Sequence, residues 1–109
     1  MKASVYFIDD RIRQSFFALA TGTAEEKEVY TRLNASFDII ALEPFCGIQI
    51  PKRLIPDVYV TKYGIDNLWK YNFHKNWRLM YSVAGDGTTV IALVIEWLPH
   101  KEYERRFGY

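Results

Sequence analysis

The sequence predicts an α+β fold, β-α-α-β-β-β-α, in which an N-terminal helical hairpin packs on a mainly antiparallel four-stranded sheet. Residues 67–98 contain two alternating runs, NLWKYNF and NWRLMYSV, and then the apolar run TTVIALVIEWL, which together read as three consecutive strands. Ahead of them, apolar residues recur at helical spacing, first as Ile12, Phe16 and Leu19 and then as Val29, Tyr30, Leu33, Phe37, Ile40 and Ala41. Thr21-Gly22, His74-Lys75-Asn76 and Gly85-Asp86-Gly87 punctuate these segments as turns do.

Ala3 to Ile8 is a short apolar run stopped by Asp9 and Asp10, and it reads as a strand covered on both faces. Either aspartate can cap the first helix. Thr23-Ala24-Glu25-Glu26 matches a capping box, with acidic residues where the helix dipole favours them, and opens a second helix running to about Leu42. Residues 43–65 hold three prolines and two glycines, which argues against long helices and central strands. Pro51 and Pro56 can each begin a one- or two-turn helix, with Gly64 ending the second and Tyr59, Val60 and Tyr63 sharing its face, so a packed loop over the sheet is expected. The strand VIALVIEW is apolar on both faces, which predicts a central place. A last helix, HKEYERRF, sets Tyr103 and Phe107 against the body and Glu102 beside Arg106 outside.

Strand parity then assigns faces. Trp69, Tyr71 and Phe73 point one way and Leu68, Lys70 and Asn72 the other, while Trp77, Leu79, Tyr81 and Val83 oppose Arg78, Met80 and Ser82. An odd turn is needed to keep the aromatic faces together, and His74-Lys75-Asn76 supplies three residues, pairing Phe73 with Trp77 and Asn72 with Arg78. One face is then core, and the other carries a small cationic site formed by Lys70 and Arg78.

Composition narrows the class. At 109 residues the chain has the size of one domain, residues 1–109, and half of its residues are hydrophobic, which excludes disorder. No apolar run reaches bilayer length, and the N-terminal stretch MKASVYFIDDRIR lacks the pattern of an export signal, so a cytoplasmic protein is expected. Cys46 is the only cysteine and is expected to be a small buried apolar residue. The net charge of +1 is unevenly spread, with five Lys/Arg against seven Asp/Glu in residues 1–50 and nine against six in residues 51–109. A modest basic surface therefore belongs to the second half.

The run NLWKYNFHKNWRLMYSV followed by IALVIEWLPHKEYERRF resembles the RelE/ParE toxin superfamily, in its RelE-like branch found in bacteria and archaea. The matching residues are Trp69-Lys70-Tyr71 for a basic strand, Trp77-Arg78-Leu79-Met80-Tyr81 for a strand carrying the family's arginine, and His100-Lys101 opening the last helix. The resemblance implies a toxin of a type II toxin–antitoxin system. RelE-like members cut mRNA in the ribosomal A site without metal or cofactor and are held inactive by a cognate antitoxin. ParE-like members share the fold and act on DNA gyrase.

Cutting RNA without metal needs a base for the 2′-hydroxyl, a cation on the pentacovalent phosphate and an acid for the leaving 5′-oxygen. Arg78 is the first candidate, because a planar guanidinium can hold two phosphate oxygens; the competing reading is a solvent-facing strand residue whose stem covers its neighbours. Lys70 matches a family lysine of the catalytic strand, but an edge-strand lysine also prevents aggregation. Where family members carry a second lysine, this chain has Asn72, which can bond a phosphate but brings no charge. His100 and Lys101 stand at a helix start, which favours anions, and an imidazole can serve as acid or base; a structural histidine fits the same place. Tyr103 lies three residues after His100, a spacing at which core packing against Phe107 competes with a catalytic role. Lys52, Arg53, Lys62 and Lys75 could follow an RNA backbone or simply be solvated. His74 reads as a turn residue. A non-catalytic binding protein of this fold, a ParE-type gyrase inhibitor and a self-associating structural domain are the alternatives. There is no phosphate-cradling glycine loop and no ligand set at metal spacing.

Overall fold

The computed structural model describes residues 2–108 and is an α+β arrangement of four α-helices and one five-stranded mixed sheet. The elements are β1 (Ser4–Phe7), α1 (Asp10–Leu19), α2 (Ala24–Leu42), β2 (Ile48–Gln49), a 3₁₀ turn (Lys52–Leu54), α3 (Asp57–Tyr63), β3 (Trp69–Phe73), β4 (Trp77–Gly85), β5 (Val90–Pro99) and α4 (His100–Phe107). The sheet order is β1-β5-β4-β3-β2, with β1 parallel to β5 and every other pair antiparallel. β5 is central, as its two-sided apolar sequence requires.

Local sequence explains the helical hairpin. The Asp9 carboxylate accepts from the Ile12 amide at 2.9 Å and starts α1. Thr23 accepts from the Glu26 amide at 3.1 Å while Glu26 accepts from the Thr23 amide at 2.8 Å, completing the capping box of α2. Ile12, Phe16, Val29, Leu33 and Ile40 then pack on Phe73, Leu79, Tyr81, Ala92 and Val94 of the sheet. Trp69, Tyr71, Trp77 and Val83 border that core, as strand parity predicts.

The sheet has five strands rather than the expected four. The added strand, β2, is a two-residue edge element paired as Ile48 with Lys70 and Gln49 with Trp69. It is held by Tyr81, whose hydroxyl donates to the Pro44 carbonyl at 2.7 Å and accepts from the Gly47 amide at 3.1 Å. A side chain at Gly47 would meet the Lys70 carbonyl at 2.7 Å, so the close approach of this loop requires glycine.

The second face carries the expected packed loop and goes further than the small cationic site expected of it. Ile50, Ile55, Tyr59 and Ile65 from residues 50–65, joined by Tyr103 from α4, cover Leu68, Met80, Ile95 and Leu98, so this face is a second core. Gly64, at φ 65°, ends α3 as predicted, although Val60 on that helix is exposed. A bulge in β5 leaves Ile95 between the pairs Tyr81–Val94 and Met80–Glu96, which places Ile95 in this core and Glu96 beside α4. Arg106 consequently pairs with Glu96 at 2.7 Å and Glu102 with Arg105 at 2.9 Å, in place of the expected Glu102–Arg106 pair.

Three smaller expectations are corrected. β1 is an edge strand covered on one side only, with Tyr6 57% exposed. Cys46 is exposed. In the β4–β5 turn only Gly87 has positive φ, and the work is done by Asp86, whose carboxylate accepts from the amides of Thr88 and Thr89. Among the described residues no helix is long and apolar enough to cross a membrane.

Candidate functional site

The site is built on the β3–β4 hairpin. Phe73 pairs with Trp77 and Asn72 with Arg78, so the connecting turn has the three residues His74, Lys75 and Asn76. It closes through the Trp77 amide, which donates to the His74 carbonyl at 3.2 Å, and it requires positive φ at His74 (35°) and Lys75 (54°). That register directs Lys70, Asn72 and Arg78 to the side of the sheet that α4 covers.

There the two cations share one aromatic ring. The Lys70 ammonium lies 4.7 Å from the centroid of Tyr103 and the Arg78 guanidinium 5.8 Å from it. Tyr103 is buried to the hydroxyl and stacks on Phe107 at 4.5 Å, which fixes the ring as a floor. His100, one turn up the same helix, places Nδ1 3.2 Å from Arg78 Nη2, and Arg78 Nη1 also donates to the Trp77 carbonyl at 3.3 Å.

The hydrogen-bond roles follow from the donor inventory. A guanidinium has donors only, so His100 Nδ1 must accept, which leaves the imidazole proton on Nε2. Nε2 in turn faces the Glu104 carboxylate at 3.3 Å. Glu104 thus selects the tautomer that lets His100 hold Arg78, a role the sequence reading missed although the i, i+4 spacing of His100 and Glu104 is visible in it. The buried Nε of Arg78 has no hydrogen-bond partner, and neither Lys70 nor Arg78 forms an ion pair, among the described residues. Two uncompensated cations on one ring attract an anion.

Comparison with protein-family models, curated proteins and solved structures finds no match to this chain. The chemistry therefore rests on the residues themselves.

Of the candidates from sequence, the structure brings Lys70, Arg78, His100 and Tyr103 together, with Asn72 exposed beside Arg78. Lys101 is exposed one helical position beyond His100. Lys75 is exposed in the hairpin turn, and Lys52 and Arg53 are exposed on the 3₁₀ turn that follows the edge strand β2; among the described residues none of the three shares a hydrogen bond or ion pair with Lys70, Arg78 or His100. Lys62 lies on α3 in a separate cleft with Arg11 and Arg106. Among the described residues no three His, Cys, Asp or Glu gather as a metal site would need.

Proposed function

We propose that the chain is a RelE-like toxin that cuts mRNA on the ribosome by metal-independent attack of the 2′-hydroxyl on the adjacent phosphorus. The observation that carries this reading is the convergence of Lys70, Arg78 and His100 over Tyr103, with no carboxylate paired to either cation among the described residues. In that chemistry the O2′–P bond forms, the P–O5′ bond breaks, and charge builds on the non-bridging oxygens. Arg78 clamps those oxygens and Lys70 adds a point charge beside them. His100, whose Nδ1 carries a lone pair, takes the proton of the attacking 2′-hydroxyl, with Glu104 facing the imidazolium that results, and the Lys70 ammonium gives a proton to the leaving 5′-oxygen.

The cluster is half-exposed, and exposed charges act weakly through water. A partner that closes over it would exclude that water and supply the remaining walls, which fits dependence on the ribosome. A cognate antitoxin is the proposed inhibitor, covering the same cations.

Inducing the gene should arrest growth and cut transcripts only while they are translated, and Arg78→Ala should lower cleavage by about 10²-fold or more. Intact transcripts and unchanged growth on induction would refute the proposal. The second reading, a binding protein of this fold or a gyrase inhibitor, draws support from Asn72 in place of a second lysine and from the buried hydroxyl of Tyr103. A supercoiling assay with purified gyrase separates the two.

A further inference from the structure

A second cationic feature lies between the start of α1, α3 and α4. A cleft of about 450 Å³ opens there, lined by Arg11, Tyr59, Lys62, Tyr63, Glu96 and Arg106, with Val58 at its side. Three cations far apart in sequence meet in it. Arg11 donates to the Tyr63 hydroxyl at 3.2 Å, the Lys62 ammonium lies 5.4 Å from the centroid of the same ring, and the Arg106 guanidinium lies 5.7 Å from that of Tyr59. The one carboxylate among its described lining residues, Glu96, is engaged with Arg106 at 2.7 Å beside the buried Tyr59 hydroxyl. Arg11 and Lys62 have no carboxylate partner among the described residues. The fold therefore holds two uncompensated charges around one phenol, an arrangement that like-charge repulsion opposes and a dianion relieves. A guanidinium fork, a phenol hydroxyl and an ammonium are donors suited to a tetrahedral oxyanion. The volume exceeds that of a bare ion, and Val58, 45% exposed, offers apolar surface to an attached organic body.

We propose that this cleft binds the phosphate group of a small phosphorylated ligand, at a site separate from the Arg78 cluster. The proposal stands whether or not the chain is a nuclease.

Amide and side-chain NMR of the full chain, titrated with inorganic phosphate and with uridine 5′-monophosphate against sodium chloride at matched ionic strength, tests it. Saturable shifts confined to Arg11, Lys62, Tyr63 and their neighbours are expected. Lys62→Glu and Arg11→Gln, both exposed positions, should each weaken binding by about tenfold or more while leaving the rest of the spectrum in place. Equal affinity for the two probes assigns the site to free phosphate, and tighter binding of the nucleotide with shifts at Val58 assigns it to a phosphorylated organic ligand. Shifts no larger than those from chloride, shifts that survive both variants, or shifts abolished by Arg78→Ala would overturn the proposal.

Discussion

Replacing Arg78 with methionine should leave the protein about as stable as before while removing the cleavage activity proposed for it. The structure supplies the terms. Arg78 makes two long hydrogen bonds, at 3.2 Å to His100 and 3.3 Å to the Trp77 carbonyl, and one contact with the Tyr103 ring at 5.8 Å. At about 1 kcal/mol for each bond and ~0.5–1 kcal/mol for the ring contact, these contribute about 2–3 kcal/mol. Against them stands a buried Nε with no partner among the described residues, which costs about 1–3 kcal/mol. The opposing terms nearly cancel, and methionine keeps an unbranched apolar stem in the same place. The expected change is within about 1 kcal/mol, or roughly 4 °C in Tm for a chain of this length, measured by urea and thermal denaturation. Transcript cleavage on translating ribosomes, measured in parallel, should fall by about 10²-fold or more. A loss of more than about 2 kcal/mol would show that Arg78 is a structural strut, and the argument that its charge is held for a ligand would fail.

Three further outcomes are expected. Tyr81→Phe leaves the Pro44 carbonyl and the Gly47 amide without their partner and should cost about 1–3 kcal/mol in urea denaturation, loosening β2 first in hydrogen exchange; no change would show that the loop is held elsewhere. His74→Asn with Lys75→Gly puts residues that tolerate positive φ at both left-handed positions and should stabilise the hairpin by about 1–2 kcal/mol, whereas destabilisation would mean that the turn is not left-handed. Asp86 is held at a pKa of about 2 by the amides of Thr89 and Thr88 and the Thr88 hydroxyl, below its ordinary value of 3.8. Its carboxylate binds a proton more readily in the unfolded chain, so its contribution is present above pH 3.8 and is lost as pH falls toward 2. Stability measured across that window should therefore decline less in Asp86→Ala than in the parent chain.

The elements that were legible in the sequence are those governed by a local period. Side chains alternate every two residues along a strand, so the faces of Trp69 to Phe73 and Trp77 to Val83, and the pairing of Asn72 with Arg78, follow once the turn is counted. The capping box at Thr23 fixed the start of α2 in the same local way. β2 was not legible, because Ile48 and Gln49 carry no alternation and pair only through the tertiary anchor that Tyr81 provides. Nor was the partner of Arg106, since the bulge at Ile95 is what brings Glu96 to α4.

The cover over the second face was legible in part, as the packed loop expected of residues 43–65, whereas its joining with α4 into a second core was not. Leu68 and Met80 share a face with Lys70 and Arg78, and two large apolar side chains on a face left to water cost about 1.5–3 kcal/mol each in burial forgone. Something had to cover them. The cover is α4 together with residues 50–65, and the consequence reaches the site: the helix that buries Met80 and Leu98 is the one that sets Tyr103 under Lys70 and Arg78 and His100 against the guanidinium. The cations are therefore not loose surface charges on an exposed strand. They are held at the margin of a core, where the ring below limits their motion and the imidazole aligns one of them, so on the proposed function a phosphate would meet donors already in place.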